Sequence, residues 1–493
     1  MKHEMNPNDG SGDSSSAPSM SPDEFRRAAY RHADWIADYL KNVREFPVTT
    51  AAQPGELAAS LPRKAPDQGE PIEKIFADFN SLIFPALTLW NHPRFFAWFS
   101  VSSSPPSMLA EFLTATLNVN AMLWKSAPAA TELEQVTLSW LRDWLALNET
   151  FFGIIYDTAS IGVMQAIAAA REWIDPRSRI KGMRGDLTVY ISEHTHSSSE
   201  KAAIVLGFGQ ENVRKIPVDD QFRMRAGLLE QAIELDIAAG KRPCCIVASV
   251  GSTSTTAIDP VPAIADIADR HGIWLHVDAA YGGSAAVIPE MRHILDGAER
   301  AHSLILNPHK WLYVSIDCSV LYTRFPEILR RSASLSAEYL KTTEDDRVIN
   351  YMDYGVQLGR RFRALKLWYV FRYYGRQGII AMLRETLRLA QVLKSLVEAD
   401  PDFELSAPVP LSLICFRHRS GDIFNQHLLT EINSTGKAFL SHTVLNNRFV
   451  LRFAVGNFQT NEQDIRESWA LIRETAQRLR VPEAAMTHSE ART

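Results

Sequence analysis

The sequence predicts an α/β protein: a mostly parallel sheet with helices on both faces, followed by a smaller α+β unit. Short apolar runs at 154–156, 187–191, 245–250, 273–277 and 304–306 are interleaved with segments of helical period. That spacing suits parallel strands joined by crossovers. A long amphipathic helix after residue 360, then a strand and a hairpin pattern, mark the second unit. The chain has 493 residues, 46% of them apolar and 22% charged, enough for two or three domains with sizeable cores.

Residues 1–20, rich in Ser, Gly, Asp, Asn and Pro, read as a disordered tail. Order begins at Ser21-Pro22-Asp23-Glu24, a capping box with proline at the first helical position. Phe25, Ala29, His32, Ile36 and Leu40 then form one apolar face. Residues 46–70 are a Pro/Ala-rich connection, and a second helix is expected over 72–83. The aromatic stretch 90–99 reads first as core or subunit-interface packing, and second as ligand contact. Helices are expected at 129–146, 162–173 and 261–271. The helix carrying Phe362, Leu365, Trp368 and Phe371 is expected to stop at Gly375. A strand at 411–416 follows, then a hairpin of 437–444 and 449–455 turning at Asn446-Asn447. Thr460-Asn461-Glu462-Gln463 caps a last helix with Ile465, Trp469, Ile472 and Leu479 on one side. The division expected is a tail (1–20), a helical segment (21–104), a large domain (105–365), a small domain (366–481) and a tail (482–493).

Net charge is −5, with no basic tract, which argues against nucleic acid and anionic membranes as partners. No apolar stretch reaches membrane-spanning length, and the N-terminus is polar rather than signal-like. The four cysteines (Cys244, Cys245, Cys318, Cys415) have no metal-binding spacing, and a reducing cytoplasm suits them.

The strand at 304–306 ends on Asn307-Pro308-His309-Lys310-Trp311. A lysine desolvated at a strand end loses its proton easily, as an imine-forming lysine must; the alternative is a lysine that reaches water. One strand earlier, 273–277 runs into Asp278-Ala279-Ala280-Tyr281. A carboxylate there needs a partner: a helix cap, a salt bridge, or a protonated ring nitrogen such as the pyridine of pyridoxal phosphate. Asp157-Thr158-Ala159-Ser160 opens a helix whose free N–H groups suit a dianion. His194 and His196 follow the strand 187–191 without a third suitably spaced metal ligand, so no metal is expected. An imidazole there could stack on a cofactor ring. Ligands gather at the carboxyl ends of such strands, which makes these scattered residues one candidate site.

Asn307-Pro308-His309-Lys310-Trp311 and His276-Val277-Asp278-Ala279-Ala280-Tyr281 resemble the group II pyridoxal-phosphate-dependent decarboxylases, and among them the aromatic-L-amino-acid decarboxylases. The resemblance runs from about residue 22 to about 480 and includes 127–134, 358–363 and 451–456. It implies a fold-type I homodimer with an active site shared between chains and N-terminal helices exchanged across the dimer. It implies that Lys310 bonds the cofactor, that Asp278 pairs with the pyridine nitrogen and that His196 stacks on the ring. Ala159, Ser160 and Asn307 become expected phosphate contacts, with Thr253, Ala280 and His309 beside the cofactor. Tyr339 follows Lys310 at the family's spacing for the tyrosine that protonates Cα. Trp98, Phe99, Ser100, Asn120 and Met122 stand where the family encloses the substrate ring.

Several positions depart from that pattern. Ile161 and Gly162 follow Ser160 where Glu-Ala is usual, Ala121-Met122 replace a Gly-Phe pair, and Trp98 replaces a tyrosine. Ser100 and Val101 replace a Pro-Thr pair, and the catalytic loop is slightly shorter. The expected activity is decarboxylation of an aromatic L-amino acid to an amine. The alternatives are an aldehyde synthase or a decarboxylase of a non-aromatic acid on the same scaffold, and a non-catalytic cofactor-binding scaffold. Tyr339 together with His196 favours the amine, since aldehyde synthases carry phenylalanine at the first position or lose the second.

Overall fold

The structure, a computed structural model, describes residues 19–335, 342–345 and 347–480. The expected tails lie outside the described residues, apart from Ser19 and Met20. The chain divides into two compact units: residues up to Phe46 with Thr50–Leu87, and Pro47–Thr49 with everything from Thr88.

In the first unit the helix Pro22–Asn42 starts as the capping box dictates, Ser21 Oγ accepting from the Glu24 N–H at 3.2 Å. Its inward face keeps His32 of the expected stripe, on Phe76 at 4.3 Å, and adds Trp35 and Tyr39. Trp35 and Tyr39 meet Phe46, Phe76, Phe79 and Phe84 in edge-to-face and tilted contacts. Phe25 and Ile36 keep 48% and 42% of their surface. Aromatic rings contribute more buried area per residue than a stripe of mixed aliphatics, so they set the helix's rotation.

The second unit holds two sheets. The larger contains β1 (Phe152–Tyr156), β2 (Leu187–Ser192), β3 (Val213–Ile216), β4 (Arg242–Ser249), β5 (Trp274–Asp278), β6 (Ser303–Leu306) and β7 (Ser319–Thr323). Their order is β1-β7-β6-β5-β4-β2-β3. Every pairing from β6 to β3 is parallel, and β7 runs antiparallel to both β6 and β1. Successive side chains enter opposite cores: Ile155, Tyr190, Ile246, Leu275 and Leu304 join one cluster, and Ile154, Val189, Val247, Trp274 and Ile305 the other. Both faces are therefore covered, as parallel sheets require. The sequence did not suggest β3 or β7. β3 reads Val-Arg-Lys-Ile, an edge strand with charges at its centre.

The smaller sheet contains β8 (Phe403–Leu405), β9 (Leu413–His418), β10 (Ser441–Leu445) and β11 (Arg448–Ala454), ordered β10-β11-β9-β8 and antiparallel throughout. The hairpin turns at Asn446 and Asn447, with φ of 50° and 59°. Two left-handed residues in a two-residue loop match the right-handed twist of the strands. The last helix, Glu462–Arg480, is capped reciprocally by Asn461 and Asp464. The helix that starts at Ala364 ends at Gly375 as its glycine signal predicts, since a φ of 62° and a ψ of 172° are non-helical. A second helix then runs on to Glu398, burying Ile379, Ile380, Leu383 and Leu389.

β4 and β5 end on loops in direct contact. At Gly251 (φ 88°) an added Cβ would lie 2.8 Å from the Gly282 nitrogen, and at Gly282 one would lie 2.5 Å from the Val250 carbonyl oxygen. Gly251→Ala should therefore cost about 1–3 kcal/mol through backbone strain and overpacking. Denaturant unfolding checks this; a variant as stable as the parent would contradict it.

Candidate active site

Loops leaving the carboxyl ends of β1, β2, β4, β5 and β6 enclose a cavity of about 190 Å³. Each loop contributes something different. After β1, Thr158 adopts an extended conformation and the helix Ala159–Ile174 begins, with no side chain capping its first N–H groups. Thr158, Ala159 and Ser160 line the cavity, so those unpaired donors and the positive end of the helix dipole face into it. Asp157 organises the turn: its Oδ1 accepts from the Thr158 N–H at 2.5 Å and its Oδ2 from Gln357 Nε2 at 3.0 Å.

After β2, His196 and Ser198 reach the cavity. His196 Nδ1 accepts from the Ser198 N–H at 3.2 Å and lies 2.8 Å from its hydroxyl. A backbone N–H can only donate, so the ring proton sits on Nε2. Ser249, Gly251, Ser252 and Thr253 come from the end of β4 and its loop. Arg452 fixes this loop from β11, donating to the carbonyls of Thr253 at 2.7 Å and Ser254 at 3.3 Å.

β5 delivers Asp278, with Ala280 and Tyr281 beside it. Asp278 Oδ1 accepts from the Ala280 N–H at 3.1 Å. β6 delivers Asn307, His309 and Lys310. Burial lowers the basicity of the Lys310 amine, and the Asp278 carboxylate opposes that shift. His309 Nδ1 accepts from the Cys318 N–H at 2.9 Å, leaving Nε2 as the protonated nitrogen. Burial, with Lys310 adjacent, pushes the His309 pKa down to about 3. Phe99 forms one wall: its ring stacks on Tyr281 at 3.8 Å, Tyr281 stacks on Trp311 at 4.6 Å, and Lys310 Nζ lies 5.4 Å from the Phe99 centroid.

The structure thus brings together Ala159, Ser160, His196, Thr253, Asp278, Ala280, Asn307, His309, Lys310 and Phe99. Trp98, Ser100, Asn120 and Met122 lie outside this cavity's lining: Trp98 is 48% exposed and stacks on Trp90, and Ser100 is buried. Tyr339 lies outside the described residues. The sequence did not single out Ser198, Ser249 or Gly251 as site residues, although each sits at or just beyond a strand end, where the carboxyl-end rule points. Among the described residues, no three His, Cys, Asp or Glu side chains gather to hold a metal.

A helix start suited to a dianion, a carboxylate and a weakly basic amine surround one cavity. That set fits the phosphate, ring nitrogen and aldehyde carbon of pyridoxal phosphate.

The family described as "Pyridoxal-dependent decarboxylase conserved domain" matches residues 54–419. A tryptophan decarboxylase of Camptotheca acuminata is 40% identical over 477 residues, covering 93% of this chain and 94% of its own. A phenylacetaldehyde synthase of Arabidopsis thaliana is 39% identical, covering 93% and 96%. Among solved structures, Catharanthus roseus tryptophan decarboxylase in complex with L-tryptophan superposes with a TM-score of 0.89 at 37% identity, covering 94% of this chain and 100% of that one. Oryza sativa TDC with PLP and tryptamine gives 0.92 at 36%, again covering 94% and 100%.

The buried imidazoles impose a pH dependence. Burial lowers His276 and His302 from 6.5 to about 4, and His309 to about 3. The unfolded chain takes up these protons below about 6.5, whereas the folded chain does so only below about 4, so stability falls as pH drops between those values. Tm should fall over that interval, and His302→Phe should flatten the fall. An equal slope in the variant would contradict the assignment.

Proposed function

This chain belongs to the pyridoxal-dependent decarboxylase family, and from that premise we propose that it converts an aromatic L-amino acid to the arylalkylamine and CO2, as a cytoplasmic homodimer. It is a lyase, and its cofactor is pyridoxal 5′-phosphate. The observation that carries the reading is a single cavity lined by Lys310, Asp278, His196 and the start of the helix Ala159–Ile174. The aromatic substrate class is supported by relatives named for tryptophan and tyrosine.

In this reading the N–H groups of Ala159 and Ser160 would hold the phosphate, with Asn307 and Thr253 lining the same cavity. Asp278 would pair with the ring nitrogen and His196 would lie against the ring. Bound there, the cofactor supplies a cationic ring that accepts the electron pair left when CO2 departs. Lys310, kept by burial from holding its proton tightly, has a lone pair available for a carbonyl carbon. His309 offers an Nε2–H donor of fixed tautomer to an anionic oxygen. Phe99, stiffened by Tyr281 and Trp311, keeps water from the reacting face. Tyr339 donates the proton that Cα receives after CO2 has left.

Trp98, Ser100, Asn120 and Met122 belong, in this proposal, to the substrate-binding surface that the dimer completes. The half-buried Met122 and exposed Trp98 support that placement. The segments 21–104, 105–365 and 366–481 are its dimerisation, cofactor-binding and small domains. The second reading, an aromatic aldehyde synthase, is favoured by the phenylacetaldehyde synthases among the relatives.

The purified protein, given Trp, Tyr, Phe, DOPA, His and Glu in turn, should release CO2 and an amine from at least one aromatic acid and from neither His nor Glu. Release from Glu or His alone would contradict the proposal. Tyr339→Phe should keep CO2 release but divert product to aldehyde, consuming O2 and water and releasing ammonia and peroxide. Amine as the sole product at an undiminished rate would remove Tyr339 from the proton-donor role.

A further inference from the structure

Two signature stretches, 127–134 and 358–363, have no role in the mechanism above, yet they meet at a buried ion pair. Arg360 and Glu134 are 6% and 1% exposed, and Arg360 Nη2 donates to Glu134 Oε1 at 2.7 Å. Around this pair two distant segments are tied together. On one side lies Ile155 of β1: its N–H donates to Glu134 Oε1 at 2.9 Å, and its carbonyl accepts from Arg360 Nη2 at 2.9 Å. β1 leads directly into the cavity turn at Thr158–Ser160.

On the other side lies 120–122. Arg360 Nη1 donates to the Ala121 carbonyl at 3.2 Å, and the Arg360 N–H donates to Asn120 Oδ1 at 2.9 Å. The Ala121 N–H donates back to the Arg360 carbonyl at 2.8 Å. The face of the guanidinium is closed by the Tyr351 ring, 4.5 Å from its centroid.

Burying two charges is costly, and a well-packed apolar pair often stabilises a fold as well or better. What an apolar pair cannot do is direct hydrogen bonds. A guanidinium presents its donors as a rigid fork and can hold carbonyls from two segments at a set separation; a lysine ammonium cannot. We propose that Arg360, seated on Glu134, is a positioning residue that fixes the Asn120–Met122 segment relative to β1 and so sets substrate selectivity. The selectivity part rests on the proposed reading that Met122 borders the substrate. Arg360 acts through the segment it holds, without touching substrate itself.

The test compares the parent holoenzyme with Arg360→Lys, which keeps the charge opposite Glu134 but loses the fork. Two quantities are measured: hydrogen exchange by peptide, and the ratio of kcat/KM for tryptophan to that for tyrosine. Exchange in 118–125 should rise about tenfold while β4 and β5 exchange at the parent's rate, as expected of local rather than global opening. The ratio should change by roughly tenfold, the size typical of apolar-pocket edits. Unchanged exchange in 118–125, or an equal rise through β4 and β5, overturns the proposal. Local loosening with an unchanged ratio upholds the anchoring and overturns the selectivity role, and with it the reading that Met122 borders the substrate. Should Arg360→Lys fail to fold, Glu134→Leu with Arg360→Met removes both charges together. Local loosening is again expected there, and parent-like exchange throughout overturns the proposal.

Discussion

Everything in the site depends on a desolvated amine facing a carboxylate from the neighbouring parallel strand. Lys310 follows β6 and Asp278 ends β5, and the two strands pair in parallel, with Asp278 opposite Ile305. The register therefore delivers both groups to one edge of the sheet. Burial draws the amine towards its neutral form while the carboxylate pulls the other way. An amine that is weakly basic but still near an anion can bond a carbonyl carbon and later be displaced.

The surrounding construction keeps that balance dry and rigid. The aromatic stack runs from Phe99 through Tyr281 to Trp311, the residue after Lys310. It therefore holds the lysine's backbone from the wall of the same cavity. Tyr281 is anchored in turn by its contact with the Ser412 hydroxyl, from the loop leading into β9. The smaller sheet thus supports the cofactor side of the larger one, as Arg452 also does through the 253–254 carbonyls. Removing the water that would otherwise solvate Lys310 is a property of this stack as much as of the sheet.

The parts visible in the sequence were those with strong local signals. Apolar strands ending on Asp278 and Asn307, the capping box at Ser21 and the paired asparagines at Asn446-Asn447 each carry their own physical reason, and each is found. β7, Ser-Val-Leu-Tyr-Thr, carries a strand-like run that was passed over, while its insertion between β1 and β6 is a matter of pairing that no local pattern reveals. Gly375 ends its helix as its signal predicts, and what was left out is the second helix running on to Glu398, although Ile379, Leu383 and Leu389 recur along one buried face. Phe99 reached the cavity whereas Trp98 did not, since adjacent residues of an irregular segment point in different directions. Arg360 and Glu134 lie far apart in sequence, and only the fold shows that their motifs form one unit.

The central claim, that the strand-end lysine is the residue that bonds the cofactor, has a direct measurement. The holoenzyme is reduced with borohydride, digested and mapped by mass spectrometry. The account predicts a pyridoxyl phosphate mass on the peptide containing Lys310 and its absence from that peptide in Lys310→Ala. A label on another lysine of the parent, or no label on any peptide of a cofactor-saturated protein, would contradict it.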